Sequence, residues 1–208
     1  MNITAKHIQR SNIVVTFAPG SITLPEASQI FSLYNAEQTK GATFSDTPSM
    51  MTRVFEFPVV GLQWVFEPTK IRLEDKMNRP PRDSRLAYEL RRLLATLYPD
   101  RTPQAYGFNY DMIYRIDAAI PIKEIMGAFV KSSTLEDVKE FGWQYTVVKE
   151  KGKRAETYFF KMVSPIEYGV HANFHYNESI LPKADDLQAA FERKYADADE
   201  SVASISLT

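Results

Sequence analysis

Near the C-terminus His171, Asn173 and His175 alternate with apolar residues, so on an extended strand they share one face. Imidazole and amide groups set out this way can bind a metal, move a proton or hydrogen-bond a ligand. A metal needs its ligand atoms within about 2.0–2.2 Å. Residues four apart on a strand have backbones about 13 Å apart at about 3.3 Å per residue. His171 and His175 therefore cannot easily share one ion, and His7 is the only other histidine. The expectation is no metal and no cofactor.

A second polar set lies in YGFNYDMIYRID, residues 106–117, where Asn109, Asp111, Arg115 and Asp117 fall on one side of an alternating strand. Were this strand to neighbour the histidine strand, the two would form one polar surface with an acid, a base and a cation. Asn109, Asp111, Arg115, His171, Asn173 and His175 are thus the candidate binding face. As an enzyme, the chain would use Asp111 as base with His171 or Arg115 assisting. Against this reading, no carboxylate pair has telling spacing, and there is no Gly-rich phosphate loop, nucleophile elbow or metal-binding helix motif. No residue is assigned as catalytic.

A third set is basic. From Lys70 to Arg92 eight basic residues stand against four acidic ones, although the whole chain carries a net charge of −1. Arg79, Arg82, Arg85 and Arg92 are the candidate phosphate contacts, with Tyr88 among them. GFNY at residues 107–110 is faintly like an RNA-stacking strand but lacks its leading basic residue.

These side chains need elements to hold them. In residues 106–117, Tyr106, Phe108, Tyr110, Met112, Tyr114 and Ile116 make an aromatic face opposite the polar one, with only Ile113 out of pattern. Such a strand belongs in an antiparallel sheet with helices on one side. Before it, Ile13 to Phe17 reads as a short buried strand, and Thr23 with Glu26 caps a short helix through Ala27, Ile30, Phe31 and Tyr34. Residues 35–49 read as a long loop. Strands follow at 53–57, 62–67 and 70–74, the last two joined by a hairpin through Pro68. Asp83 or Ser84 caps a helix whose stripe is Leu86, Leu90, Leu93, Leu94 and Leu97.

The order then restarts. After the strand at 106–117, Pro121 opens a helix through Ile122, Ile125, Met126 and Phe129, and Thr134 with Asp137 caps a further turn. Three strands contain Phe141 to Val147, Tyr158 to Met162 and Tyr168 to Tyr176, and a last helix packs through Leu187, Phe191 and Tyr195. The class is α+β: antiparallel sheet with helices packed on one face, in possible tandem β-α-β-β-β-α halves at residues 11–98 and 105–196. Duplication and chance recurrence of common elements both account for the repeat, which is one of secondary structure and not of residues. Residues 1–196 read as one domain and 197–208 as a loose tail.

At 208 residues with no cysteine, the chain is long enough to bury about 70% of its unfolded surface without a disulfide staple. No apolar run reaches the length of a membrane span, and the N-terminus has no signal-peptide core, so the expected location is cytoplasmic. In element order, RVFEFPVVGLQWVFEPTKIRLEDK, PQAYGFNYDMIYRID and the closing ADDLQAAFERKY resemble a sporadically distributed family of uncharacterised bacterial proteins. The resemblance implies a bacterial or phage origin and a free-standing domain, with no chemistry attached. The leading functional expectation is a non-enzymatic interaction or ligand-binding module that forms a homodimer. A nucleic-acid binder using the basic segment is the first alternative and an enzyme around Asp111 and His171 the second.

Overall fold

A computed structural model describes residues 2–121, 127, 140 and 142–203. Its strands are β1 (Ile3–Thr16), β2 (Thr43–Thr47), β3 (Thr52–Phe57), β4 (Leu62–Glu67), β5 (Lys70–Asp75), β6 (Ala105–Ile116), β7 (Gly142–Lys149), β8 (Arg154–Ser164) and β9 (Glu167–Tyr176). Its helices are α1 (Ala27–Phe31), α2 (Leu86–Leu97) and α3 (Ala184–Ala203). The strands form one antiparallel sheet in the order β2-β3-β4-β5-β1-β6-β9-β8-β7.

Read outward from the β1/β6 seam, the order is the same on either side. The first strand of each half pairs with the last strand of that half, and the intervening strands meander to the edge. The alternating strand at the centre of the sequence is thus also central in space. β2 is the extra strand of the first half, lying outside β3.

One register row explains how the sheet takes its helices. Phe55, Trp64, Leu73, Ile13, Phe108 and Phe174 lie side by side across β3, β4, β5, β1, β6 and β9, all on one face and all buried. α1 lays Phe31 edge-on to Phe55 and Phe57. The α2 stripe of Leu86, Leu90, Leu93 and Leu94 is buried, and α3 stacks Phe191 on Tyr110 at 5.2 Å between ring centroids. The Tyr110 hydroxyl donates to the Phe191 carbonyl at 2.5 Å, so the phenol buried under the helix keeps a partner. Continuing the row onto β8 brings Glu156 inside, where Lys149 and Lys194 meet its carboxylate at 2.8 and 3.0 Å. Burial pushes this carboxyl up, but the two ammonium groups outweigh it and hold it below the usual range.

Several boundaries differ from the reading of the sequence. The strand expected at 13–17 runs from Ile3, because register shifts between Ile3 and Ala5 and between Ile8 and Arg10 interrupt its alternation. The expected loop at 35–49 contains β2, an edge strand whose one apolar side chain, Phe44, stacks on Phe55. The first helix is capped three residues later than expected, at Glu26 instead of Thr23, with the Gln29 side chain accepting from the Glu26 N–H at 2.8 Å. Arg85, rather than Asp83 or Ser84, stands at the start of α2, and the Ser84 hydroxyl is buried without a partner.

The tail expected to be loose from 197 is instead helix up to Ala203. It buries Ala198 and Val202, and Asp199 accepts from Lys6 at 2.6 Å and from the Tyr114 hydroxyl at 3.1 Å. Expectations for the helix at Ile122 to Phe129, the turn at Thr134 to Asp137, Phe141 and residues 204–208 fall outside the described residues.

Candidate functional site: the open face of the sheet

Helices cover one face of the sheet. On the opposite face another register row crosses all nine strands as Thr43, Glu56, Gln63, Glu74, Asn12, Asn109, Asn173, Thr157 and Thr146. Every member is polar, and at the centre three amides form a ladder. The Asn109 amide donates to Asn12 Oδ1 at 2.8 Å, and the Asn173 amide donates to Asn109 Oδ1 at 2.6 Å. The row ends with the hydroxyls of Thr157 and Thr146 2.9 Å apart. Side-chain amides suit such a row because each both donates and accepts, so one strand's group can serve its neighbours on both sides.

One row along, Arg10, Asp111, His171 and Phe159 lie on neighbouring strands. Asp111 accepts from Arg10 Nε on one oxygen and meets His171 Nδ1 with the other, both at 2.5 Å. Burial pushes the Asp111 carboxyl up. The hydrogen bond and charge of His171, with Arg10 beside them, outweigh that and hold it below its ordinary value of 3.8. An acid held ionised with both oxygens engaged is a poor proton acceptor, so the arrangement does not favour Asp111 as a catalytic base. It fixes the imidazole, whose Nε2 is the nitrogen left over. A shallow depression of about 220 Å³ lies here, lined by Asp111, His171, Phe159, Lys161 and Gly169.

A group whose folded-state pKa is lowered contributes stability above its unfolded value, and that contribution is lost as pH falls through the folded value. Asp111→Asn is therefore expected to cost about 1 kcal/mol near neutral pH. The difference from wild type should shrink as pH falls below 3.8 and vanish once the wild-type carboxyl, whose folded value lies lower, has taken up its proton. Urea unfolding at a series of pH values measures this, and a difference independent of pH would contradict it.

The structure brings together four of the six residues expected on the binding face, as the pairs Asn109 with Asn173 and Asp111 with His171. The other two turn to neighbours of their own. Arg115 donates to Glu167 at 2.7 Å, four residues along β6 from Asp111, and His175 meets Asn177 at 2.7 Å. Arg115 thus does not assist Asp111, and the cation that does is Arg10. Sequence reasoning missed Arg10 and Asn12, and also Gly107, where an added Cβ would lie 2.7 Å from the Phe174 carbonyl. Asn12 stands directly before the apolar run at 13–17, where an asparagine ordinarily marks the end of a strand.

Of the four arginines read as phosphate contacts, two are engaged within the chain. Arg79 donates to Asp75 at 2.7 Å and to the Val60 carbonyl at 3.1 Å, and Arg92 donates to the Leu33 carbonyl at 2.7 Å while lying over the Tyr34 ring. Arg82 and Arg85 are exposed, with Arg85 over Tyr88. Among the described residues no group of three or more His, Asp or Glu side chains is disposed to hold a metal, and no helix is long and apolar enough to cross a membrane. No protein-family model matches the chain, and no curated protein matches it.

Proposed function

We propose that the protein is a non-enzymatic interaction module whose open sheet face binds a second copy of the chain. The observation that carries this reading is the mixture of groups on that face. Phe159 and Val148, 39% and 65% exposed, stand beside charges that are matched in sign. The cations Arg10, Lys70, Arg72, Arg115 and Lys161 are equalled by the anions Glu56, Glu67, Glu74, Asp111 and Glu167. A face neutral in sum offers no net attraction to a phosphate backbone, which disfavours nucleic acid as its occupant. It suits its own image instead, because the amide ladder can both donate and accept and the ion pairs can exchange partners across a two-fold axis.

The area is also sufficient. Nine strands about 4.8 Å apart, with about six residues of each in register, give a face of roughly 40 by 20 Å, or about 800 Å². A stable interface takes about 800 Å² from each partner.

All three histidines lie on this face, so chemical footprinting reports on it. Carbethoxylation of His7 and His171, followed by mass spectrometry, is expected to slow as protein concentration rises through the dimer dissociation constant. A labelling rate independent of concentration would sink the proposal.

A further inference from the structure

On the helix-covered side of the sheet, where α3 meets β1 and the turn after β5, a cleft of about 430 Å³ is lined by Lys6, Pro80, Pro81, Arg82, Glu192 and Tyr195. That volume lies within the range of small-molecule sites, about 300–1,000 Å³. The sequence fixes its walls. Pro80 and Pro81 lock the backbone of one. Glu192 and Tyr195 are three residues apart on α3 and so share a side of that helix. Gln188, one turn earlier, donates to the Pro81 carbonyl at 2.7 Å and to the Glu192 carboxylate at 2.9 Å, which ties the two walls together.

The charges decide what such a cleft takes. Lys6 is matched within the chain, its ammonium lying 4.7 Å over the Tyr195 ring and donating to Asp199 at 2.6 Å. Arg82 and Glu192 are not matched in this way. The Asp83 carboxylate stands 3.6 Å from Arg82, too far for a hydrogen bond, and the Arg82 side chain is 78% exposed. Glu192 accepts from Gln188 and forms no ion pair among the described residues. A cation and an anion thus line one cleft without meeting each other. A carboxylate suits the fork of the guanidinium, and an ammonium suits the Glu192 carboxylate. Pro80, Pro81 and Tyr195 leave an apolar surface for the rest of the molecule.

We propose that this cleft binds a free α-amino acid with an apolar side chain, its carboxylate on Arg82, its ammonium on Glu192 and its side chain against Pro80, Pro81 and Tyr195. A residue at one end of a peptide carries only one of the two charges, so the free amino acid is the better match. The site goes beyond the open-face reading and does not depend on it.

Isothermal titration calorimetry of the full chain with L-leucine, L-methionine and L-phenylalanine is expected to show saturable binding of at least one. N-acetylation removes the ammonium and amidation the carboxylate, and each should weaken that binding about tenfold or more. These arms need no change to the protein. Glu192→Gln, which can still accept from Gln188, and Arg82→Ala, at an exposed position, should each weaken it by a similar factor while thermal unfolding stays close to wild type. The Phe159→Glu chain should bind as tightly as wild type, so that the cleft and the dimer face are read separately. Absence of saturable binding by all three amino acids would overturn the inference. So would equal binding of either capped form, or wild-type affinity in either cleft variant.

Discussion

Phe159→Glu is expected to abolish self-association without unfolding the chain. Phe159 projects from β8 on the open face, opposite His171 in register, and is 39% exposed in the single chain. A substitution at such a surface position changes folding stability by about 0.5 kcal/mol or less. In the pair, an aromatic anchor that becomes fully desolvated contributes about 2 kcal/mol or more. A carboxylate in its place must be desolvated as well. Because an isologous contact uses each residue twice, the expected loss is about 4 kcal/mol, a weakening on the order of 10³-fold in the dissociation constant. Sedimentation reads the loss and thermal unfolding of the variant at low concentration reads the fold. A variant that dimerises as tightly as wild type would remove Phe159 from the interface.

The second large effect concerns the end of α3. Ending the chain at Ala196 is expected to cost about 3–5 kcal/mol of folding stability. It removes the buried side chains of Ala198 and Val202 and deprives Tyr114 and Lys6 of the Asp199 carboxylate. Tyr114, buried in the whole chain, is opened to water along the side that the end of α3 covers. The point variant Val202→Asp should reproduce a large part of the loss through burial of a charge among apolar neighbours. Denaturant unfolding measures both. A truncated chain as stable as wild type would mean that the last two turns of α3 carry no packing energy.

How far the sequence reached depends on where side-chain contrast was strong. β6 was legible because its two faces differ at nearly every position, Tyr106 to Ile116 against Gly107 to Arg115, and a buried strand with one helix-covered face must show that contrast. β1 was half hidden. Its register shifts break the two-residue period around Ile8 and Arg10, so the apolar run at 13–17 was read as the whole strand. β2 has a single apolar side chain, Phe44, and therefore shows no alternation. In α3 the stripe continues from Leu187 and Phe191 to Ala198 and Val202, but the last two are small residues set among Asp and Glu, and a polar composition masked the spacing.

The candidate site divides in the same way. Asn109, Asp111, His171 and Asn173 could be named from alternation within two strands, and their pairing then required only that those strands be neighbours. Arg10 and Asn12 could not, because what brings them to Asp111 and Asn109 is the register of a third strand about a hundred residues earlier in the chain. Phe159 was available in principle. Once Tyr158 and Phe160 are taken as inward, the aromatic between them must point outward onto the open face.

The measurement that bears most directly on the central claim is the mass of the unmodified chain in solution, by sedimentation equilibrium across a range of concentrations. The account predicts a reversible dimer, with a mass rising from 23.8 kDa to twice that value. A mass of 23.8 kDa at every concentration would contradict it, and the open face would then have no second copy to receive.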